Sequence, residues 1–194
     1  MKKLTILAFC IFILPFLISP STTKIKKSLS PINVRNNPKT TLKPKFKIKT
    51  SITSPNKTRK VFLQDIGHQE SGNRYNIVNQ FGYMGKYQFG IKTLRGLGFK
   101  ISKEKFLMSP NIQEVAMLKL LKTNKRYLQK YINNFEGKRV NGVLVTESGL
   151  LAAAHLGGAG SVKKWFKTGK VREDGNGVKI TTYMEKFSGY KLNL

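Results

Sequence analysis

All nine acidic residues of this 194-residue chain lie beyond position 60, and that asymmetry confines the part able to fold to residues 61–194. Residues 23–60 hold twelve Lys and Arg, no acid, and Pro31, Pro38, Pro44 and Pro55 scattered among Ser, Thr and Asn. A stretch with no hydrophobic period cannot bury enough apolar surface to offset its chain entropy, so a disordered basic linker is expected there. Ahead of it, Lys2 and Lys3 precede an apolar run over 4–18, then Ser19, Pro20, Ser21 and Thr22. A basic start followed by such a run predicts an export signal over 1–22. The run is shorter than the roughly 20 residues of a spanning helix, so cleavage is expected, with an uncleaved anchor as the alternative. Cys10 is the single cysteine and lies inside the run. The exported chain therefore has no disulfide and no thiolate ligand, and its core must hold by packing alone.

Residues 61–194 carry twenty-two Lys and Arg against nine acids, a charge of +13. Such an excess draws an exported protein to anionic polymers, which for a secreted chain are wall glycans and lipid head groups before nucleic acid. No nucleic-acid recognition motif is present, and nucleic acid is not an expected partner. The periplasm, the cell envelope and the medium all remain open as destinations, and the oligomeric state is not set by the sequence.

Helix signals run through the domain. Val61, Phe62 and Ile66 predict a short helix ending near Glu70, with Gly72 as the left-handed residue beyond it. Residues 81–89 alternate glycine with aromatics and predict a short strand or hairpin. Residues 91–97 suggest a weak helix. Ser109-Pro110 opens a long one that runs to about Phe135, with Ile112, Val115, Leu118 and Leu121 on its apolar stripe and Leu128 and Tyr131 in the core. Thr146 caps another, with Leu150, Leu151, Ala153 and Ala154 inward and glycines 157, 158 and 160 breaking it before Trp165. Residues 174–177 read as a turn and 180–187 as the last helix. The fold class expected is α+β, mainly α-helical.

Glu70 is the best candidate for chemistry. It stands at a helix end, followed by Ser71-Gly72 and then by Gly85-Lys86-Tyr87-Gln88-Phe89. A carboxyl that cleaves a glycosidic bond must give a proton to the leaving oxygen, so it must still hold that proton near neutral pH. The negative end of a helix and burial against Phe81, Tyr83, Tyr87 and Phe89 would favour the neutral form, and the basic background opposes them.

Together these residues resemble the lysozyme-like domain of bacterial lytic transglycosylases, the soluble type related to goose-type lysozyme. Glu70-Ser71 is similar to the family's Glu-Ser motif, Gly85-Lys86-Tyr87-Gln88 to its Gly-Leu-Met-Gln motif, and Tyr183 to the tyrosine of its last motif. The resemblance spans most of 61–194 and implies a lysozyme-like fold with a short β-hairpin beside the catalytic cleft. It implies Glu70 as the single acid and base, with Ser71, Tyr87, Gln88, His155 and Tyr183 supporting the site or holding substrate, and no cofactor. The substrate implied is the peptidoglycan strand, cut between MurNAc and GlcNAc to leave a 1,6-anhydro end.

The chain departs from that pattern at two places. Ala154-His155-Leu156-Gly157-Gly158 stands where the family has Ala-Tyr-Asn-x-Gly, and Lys179-Ile180 where it has Glu-Thr. A second carboxylate that activates water would make the enzyme a hydrolase instead. Asp65 is five residues from Glu70 and points elsewhere on one helix, Glu147 begins a helix, and Glu104, Glu114, Glu136, Glu173, Asp174 and Glu185 are expected on exposed faces or turns. Finding no partner favours the lytic outcome. His68 and His155 make a poor zinc set without cysteines or a His-Glu-x-x-His, and no metal is expected. Trp165 is expected to pack, with a sugar-stacking role as the alternative. A catalytically silent wall-binding module remains the second reading of the whole domain.

Overall fold

The computed structural model describes residues 57–194, so the expected export signal and all but the last four residues of the expected linker lie outside it. It is mainly helical with one small antiparallel sheet, in the order α1 (Arg59–Ser71), α2 (Ile91–Gly96), α3 (Lys103–Leu107), α4 (Pro110–Phe135), β1 (Arg139–Val140), β2 (Val143–Leu144), α5 (Glu147–Gly157), α6 (Ala159–Thr168) and α7 (Ile180–Lys186).

Residues 57–60, which composition places in the linker, belong to the domain. The Thr58 side chain caps α1 by accepting the Val61 N–H at 3.4 Å, and Lys57 O accepts the Lys191 N–H at 2.7 Å. Lys57 Nζ donates to Ser188 O and Arg59 to Asn193 O, each through a cation at the surface. These are backbone and charge contacts without a hydrophobic period, so composition does not reveal them.

Core geometry begins at α5. Seven consecutive residues, Ser148 through Ala154, are buried, and a helix apolar on every side belongs in the middle of a domain. It packs against α4, α6 and α7. Thr146 Oγ1 accepts the Gly149 N–H at 3.1 Å as its N-cap. Phe62 and Ile66, one turn apart on α1, are fully buried, and Phe62 meets the edges of Phe187 and Tyr190. Trp165 is buried against Phe166, which settles its role as packing.

The buried stripe of α4 differs from the one expected. It runs Gln113, Ala116, Met117, Leu121, Asn124, Leu128 and Ile132, while Val115 is 55% exposed. Gln113 takes the inward place at the start because its amide is fully used. Its Oε1 accepts the Lys86 N–H at 2.8 Å and its Nε2 donates to Tyr75 O and Phe106 O. A buried amide with all these partners is stable where an unpaired one would cost about 1–3 kcal/mol.

The strand expected over 81–89 is reduced to single rungs. Val78 bridges Met84, and Met84 bridges Phe89 through a pair of backbone hydrogen bonds of 2.9 and 2.8 Å around the turn 85–88. The regular hairpin lies elsewhere, at β1–β2, where Asn141 and Gly142 take φ of 49° and 82°. Positive φ at both central residues is what a two-residue hairpin turn demands.

Glu114, expected on a solvated face, instead clamps this irregular segment. It accepts the hydroxyls of Tyr75 and Tyr87 at 2.7 and 2.6 Å and pairs with Lys86 at 2.8 Å. Burial alone would raise the Glu114 carboxyl, but the bonds from Lys86, Tyr87 and Tyr75 outweigh it and hold it below the usual range. A depressed folded value means that this stabilisation is complete above the unfolded carboxylate range of about 4.3 and is lost as pH falls through the folded value. Glu114→Gln is expected to remove that acid-side dependence and to lower stability at neutral pH by on the order of 1–3 kcal/mol, read from denaturant midpoints at pH 7 and pH 3.

Candidate active site

Glu70 occupies the last turn of α1 because the helix stops one residue later. Gly72 adopts the left-handed conformation, φ 65°, and the N–H groups of Gly72 and Asn73 close on His68 O and Gly67 O. The side chain is then presented to a cavity of about 610 Å³, within the roughly 300–1,000 Å³ range of ligand sites.

Three helices converge on the carboxylate. Tyr183 of α7 donates its hydroxyl to Glu70 Oε1 at 2.7 Å. His155 of α5 brings Nε2 to 3.6 Å from the same oxygen, too long for a hydrogen bond. The side chain of Glu70 is 14% exposed and that of His155 only 6%. Burial, and then the charge of Glu70, push the Tyr183 hydroxyl well above its ordinary value, so it stays protonated and remains a donor. With Oε1 engaged by Tyr183 and faced by His155, Oε2 is the carboxyl oxygen that accepts no hydrogen bond among the described residues. Among the described residues His155 Nδ1 is buried without a partner. The ring is fixed instead by the edge of Phe89, with centroids 6.1 Å apart.

The other expected site residues divide. Gln88 lines the cavity, its Nε2 donating to Gly85 O at 2.9 Å, and its φ of 50° is left-handed for a non-glycine residue. Such backbone strain concentrates at functional positions. Ser71 does not line the cavity. Its hydroxyl is buried, donates to Lys86 O at 2.9 Å and accepts the Arg74 N–H at 3.0 Å, tying the 85–88 turn to the end of α1. Tyr87 is corrected from a substrate contact to a structural one. It has no exposure, does not line the cavity and spends its hydroxyl on Glu114. Of the aromatics expected around Glu70, Phe81 and Tyr83 stand half-exposed on the cavity wall and Phe89 lies beneath His155.

The cavity wall also holds residues that the sequence does not single out for the site. Asn124 lies on the apolar stripe of α4 between Leu121 and Leu128, and its Nδ2 is buried without a partner among the described residues. A polar residue in register with core leucines is the available signal. Arg172, Glu173 and Asp174 line the same cavity, so two acids denied a place in the chemistry do share it with Glu70. Asp174 Oδ1 is committed to the N–H groups of Asn176 and Val178 at 2.9 and 2.8 Å. Glu173 is half-exposed, with Lys179 at 3.9 Å. Asp65 accepts the Tyr190 hydroxyl at 2.7 Å and Glu147 pairs with Lys125 at 3.0 Å, neither of them on the cavity wall. No group of three His, Cys, Asp or Glu among the described residues could hold a metal ion.

Tyr183→Phe is expected to slow any reaction of Glu70 by about 10- to 100-fold while leaving the unfolding midpoint within about 1 kcal/mol, since one hydrogen bond of this kind contributes little net stability. Parallel measurement of turnover and denaturant unfolding checks it.

Comparisons with protein-family models, with curated proteins and with solved structures give no match.

Proposed function

We propose that this protein is an exported enzyme of lysozyme-like fold that cleaves the MurNAc–GlcNAc bond of peptidoglycan with Glu70 as its only acid and base. The observation that carries the proposal is the Tyr183–Glu70 hydrogen bond, 2.7 Å across 113 residues of sequence, at the wall of a cavity also lined by Gln88 and His155. Two of the three short motifs that resemble lytic transglycosylases thus meet at one carboxylate, and the third supplies Gln88 to the same cavity.

The chemistry follows from the two carboxyl oxygens. Oε2 gives its proton to the glycosidic oxygen as the bond to the muramyl C1 breaks, and GlcNAc leaves with its hydroxyl restored. Tyr183 keeps its proton and steadies the charge left on Oε1. The same carboxylate then takes the proton of the muramyl 6-hydroxyl as that oxygen bonds to C1, which yields a 1,6-anhydro end, returns Glu70 to its acid form and consumes no water. The +13 charge of residues 61–194 favours retention on anionic wall or membrane surfaces.

Hydrolysis is the second reading, and Glu173 and Asp174 on the cavity wall favour it, because either could orient a water towards C1. Mass spectrometry of the products from purified wall separates the two: lytic products are lighter by one water than hydrolytic ones. Binding to wall without any release of fragments would instead leave a silent binding module.

A further inference from the structure

Helix α4 buries two side-chain amides on one stripe, about three turns apart, and they have opposite fates. Gln113 spends its Oε1 and Nε2 on backbone groups of Lys86, Tyr75 and Phe106. Asn124 is 5% exposed, and its Nδ2 is buried with no partner among the described residues. A buried amide left unpaired is destabilising. Leucine has the same number of side-chain heavy atoms and would suit a stripe that already carries Leu121 and Leu128. Packing of α4 therefore gives no reason for an amide at this place, and such breaks in a local pattern belong to functional positions.

The two amides also differ in location. Asn124 lines the cavity that holds Glu70, and Gln113 does not. Leu120, one turn before Asn124 on the same face of α4, lines that cavity too. The helix thus contributes to the cavity wall an unpaired amide next to an apolar side chain.

That pairing selects a ligand group. A primary amide holds a donor and an acceptor side by side, and a half-turn about its terminal bond exchanges them. A group with an N–H next to a C=O can pair with it either way round. An acetamido group has both, and its methyl group needs an apolar neighbour. A sugar hydroxyl would satisfy the amide but would leave Leu120 against a polar group.

We propose that Asn124 and Leu120 form a subsite for an N-acetyl group of the glycan, the amide pairing with the acetamido and the leucine packing on its methyl. The proposal rests on the glycan-cleaving function above and makes Asn124 the residue that selects acetylated strands. GlcNAc and MurNAc carry the same group, so the substrates of the test separate the two sugars.

The test uses the full chain on purified glycan strands that are fully acetylated, N-deacetylated at GlcNAc alone, or N-deacetylated at MurNAc alone. The wild type is expected to lose about 10- to 100-fold in kcat/KM on one of the two deacetylated strands, the size of one or two lost hydrogen bonds in a site built to make them. Asn124→Leu and Asn124→Ala are expected to cut kcat/KM on the acetylated strand by a similar factor and to bring the ratio between strands to within about 2-fold. Deacetylation also creates an amino cation, but its charge acts alike on wild type and variants, so the change in ratio isolates the amide. The denaturant midpoint of Asn124→Leu should equal or exceed that of the wild type, because an unpaired buried amide is removed. The subsite is overturned if the wild type does not discriminate, if both variants keep the wild-type ratio, or if both variants unfold at clearly lower denaturant, which would make the amide structural. Failure of the wild type to cleave acetylated strands, or cleavage unaffected by Glu70→Gln, overturns the glycan-cleaving function itself and the subsite with it.

Discussion

Glu70→Gln is expected to cut the release of soluble fragments from purified wall by about 10²–10⁴-fold, the range that one positioned acid/base group contributes. The substitution is nearly isosteric. An amide oxygen can still accept the Tyr183 hydroxyl that now reaches Oε1 at 2.7 Å, so the junction of α1 with α7 is retained and the unfolding midpoint should hardly move. What is lost is a carboxyl able to give and take a proton, because an amide nitrogen is neither a useful acid nor a base. Wall digestion beside thermal unfolding checks both halves. Wild-type rates in Glu70→Gln would remove Glu70 from the chemistry and return attention to Glu173 and Asp174 in the same cavity.

Gly149→Ala should damage both stability and activity, although residue 149 does not line the cavity. A methyl group there would stand 2.4 Å from Met184 O and 3.2 Å from Met184 C, which are backbone atoms of α7 and cannot rotate aside. Overfilling of this kind costs about 1–3 kcal/mol, and here it is relieved only by moving α7 away from α5. Tyr183, the neighbour of Met184, would then leave Glu70. The expected result is a lower denaturant midpoint together with a loss of turnover at least as large as that of Tyr183→Phe. Gly160→Ala in α6 is the control: nothing lies within 4 Å of the added methyl, and a better helix former should leave stability unchanged or slightly raised.

Local signals carry most of the helices. Gly72 ends α1, Ser109-Pro110 opens α4, and Thr146 caps α5, since caps and breakers act through bonds within a few residues. The hairpin lies away from its expected place for a physical reason. Aromatics between glycines over 81–89 look like a strand, but there they serve a turn whose partners come from α4. The stronger hairpin sequence is Asn141-Gly142 between Arg139-Val140 and Val143-Leu144, a signal complete within six residues. Glu114 and Gln113 are illegible for a related reason. Nothing in their neighbourhood says that Tyr75, Lys86 and Tyr87, some thirty residues away, spend their polar groups on them.

The sequence by itself determined that folding begins near the end of the basic stretch, that helices dominate, and that Glu70 sits at a helix terminus where a lone acid in a basic chain invites a chemical role. Those conclusions rest on composition and on short-range periodicity, which a linear string preserves. Only the tertiary structure decided which oxygen of Glu70 is engaged, that His155 stands beside it, that Tyr87 turns away while Gln88 faces the cavity, and that Glu173 and Asp174 share the cavity wall. The junction of Glu70 with Tyr183 and His155 depends on the close approach of α5 to α7 at Gly149, a contact between residues far apart in the chain whose distance no local pattern encodes.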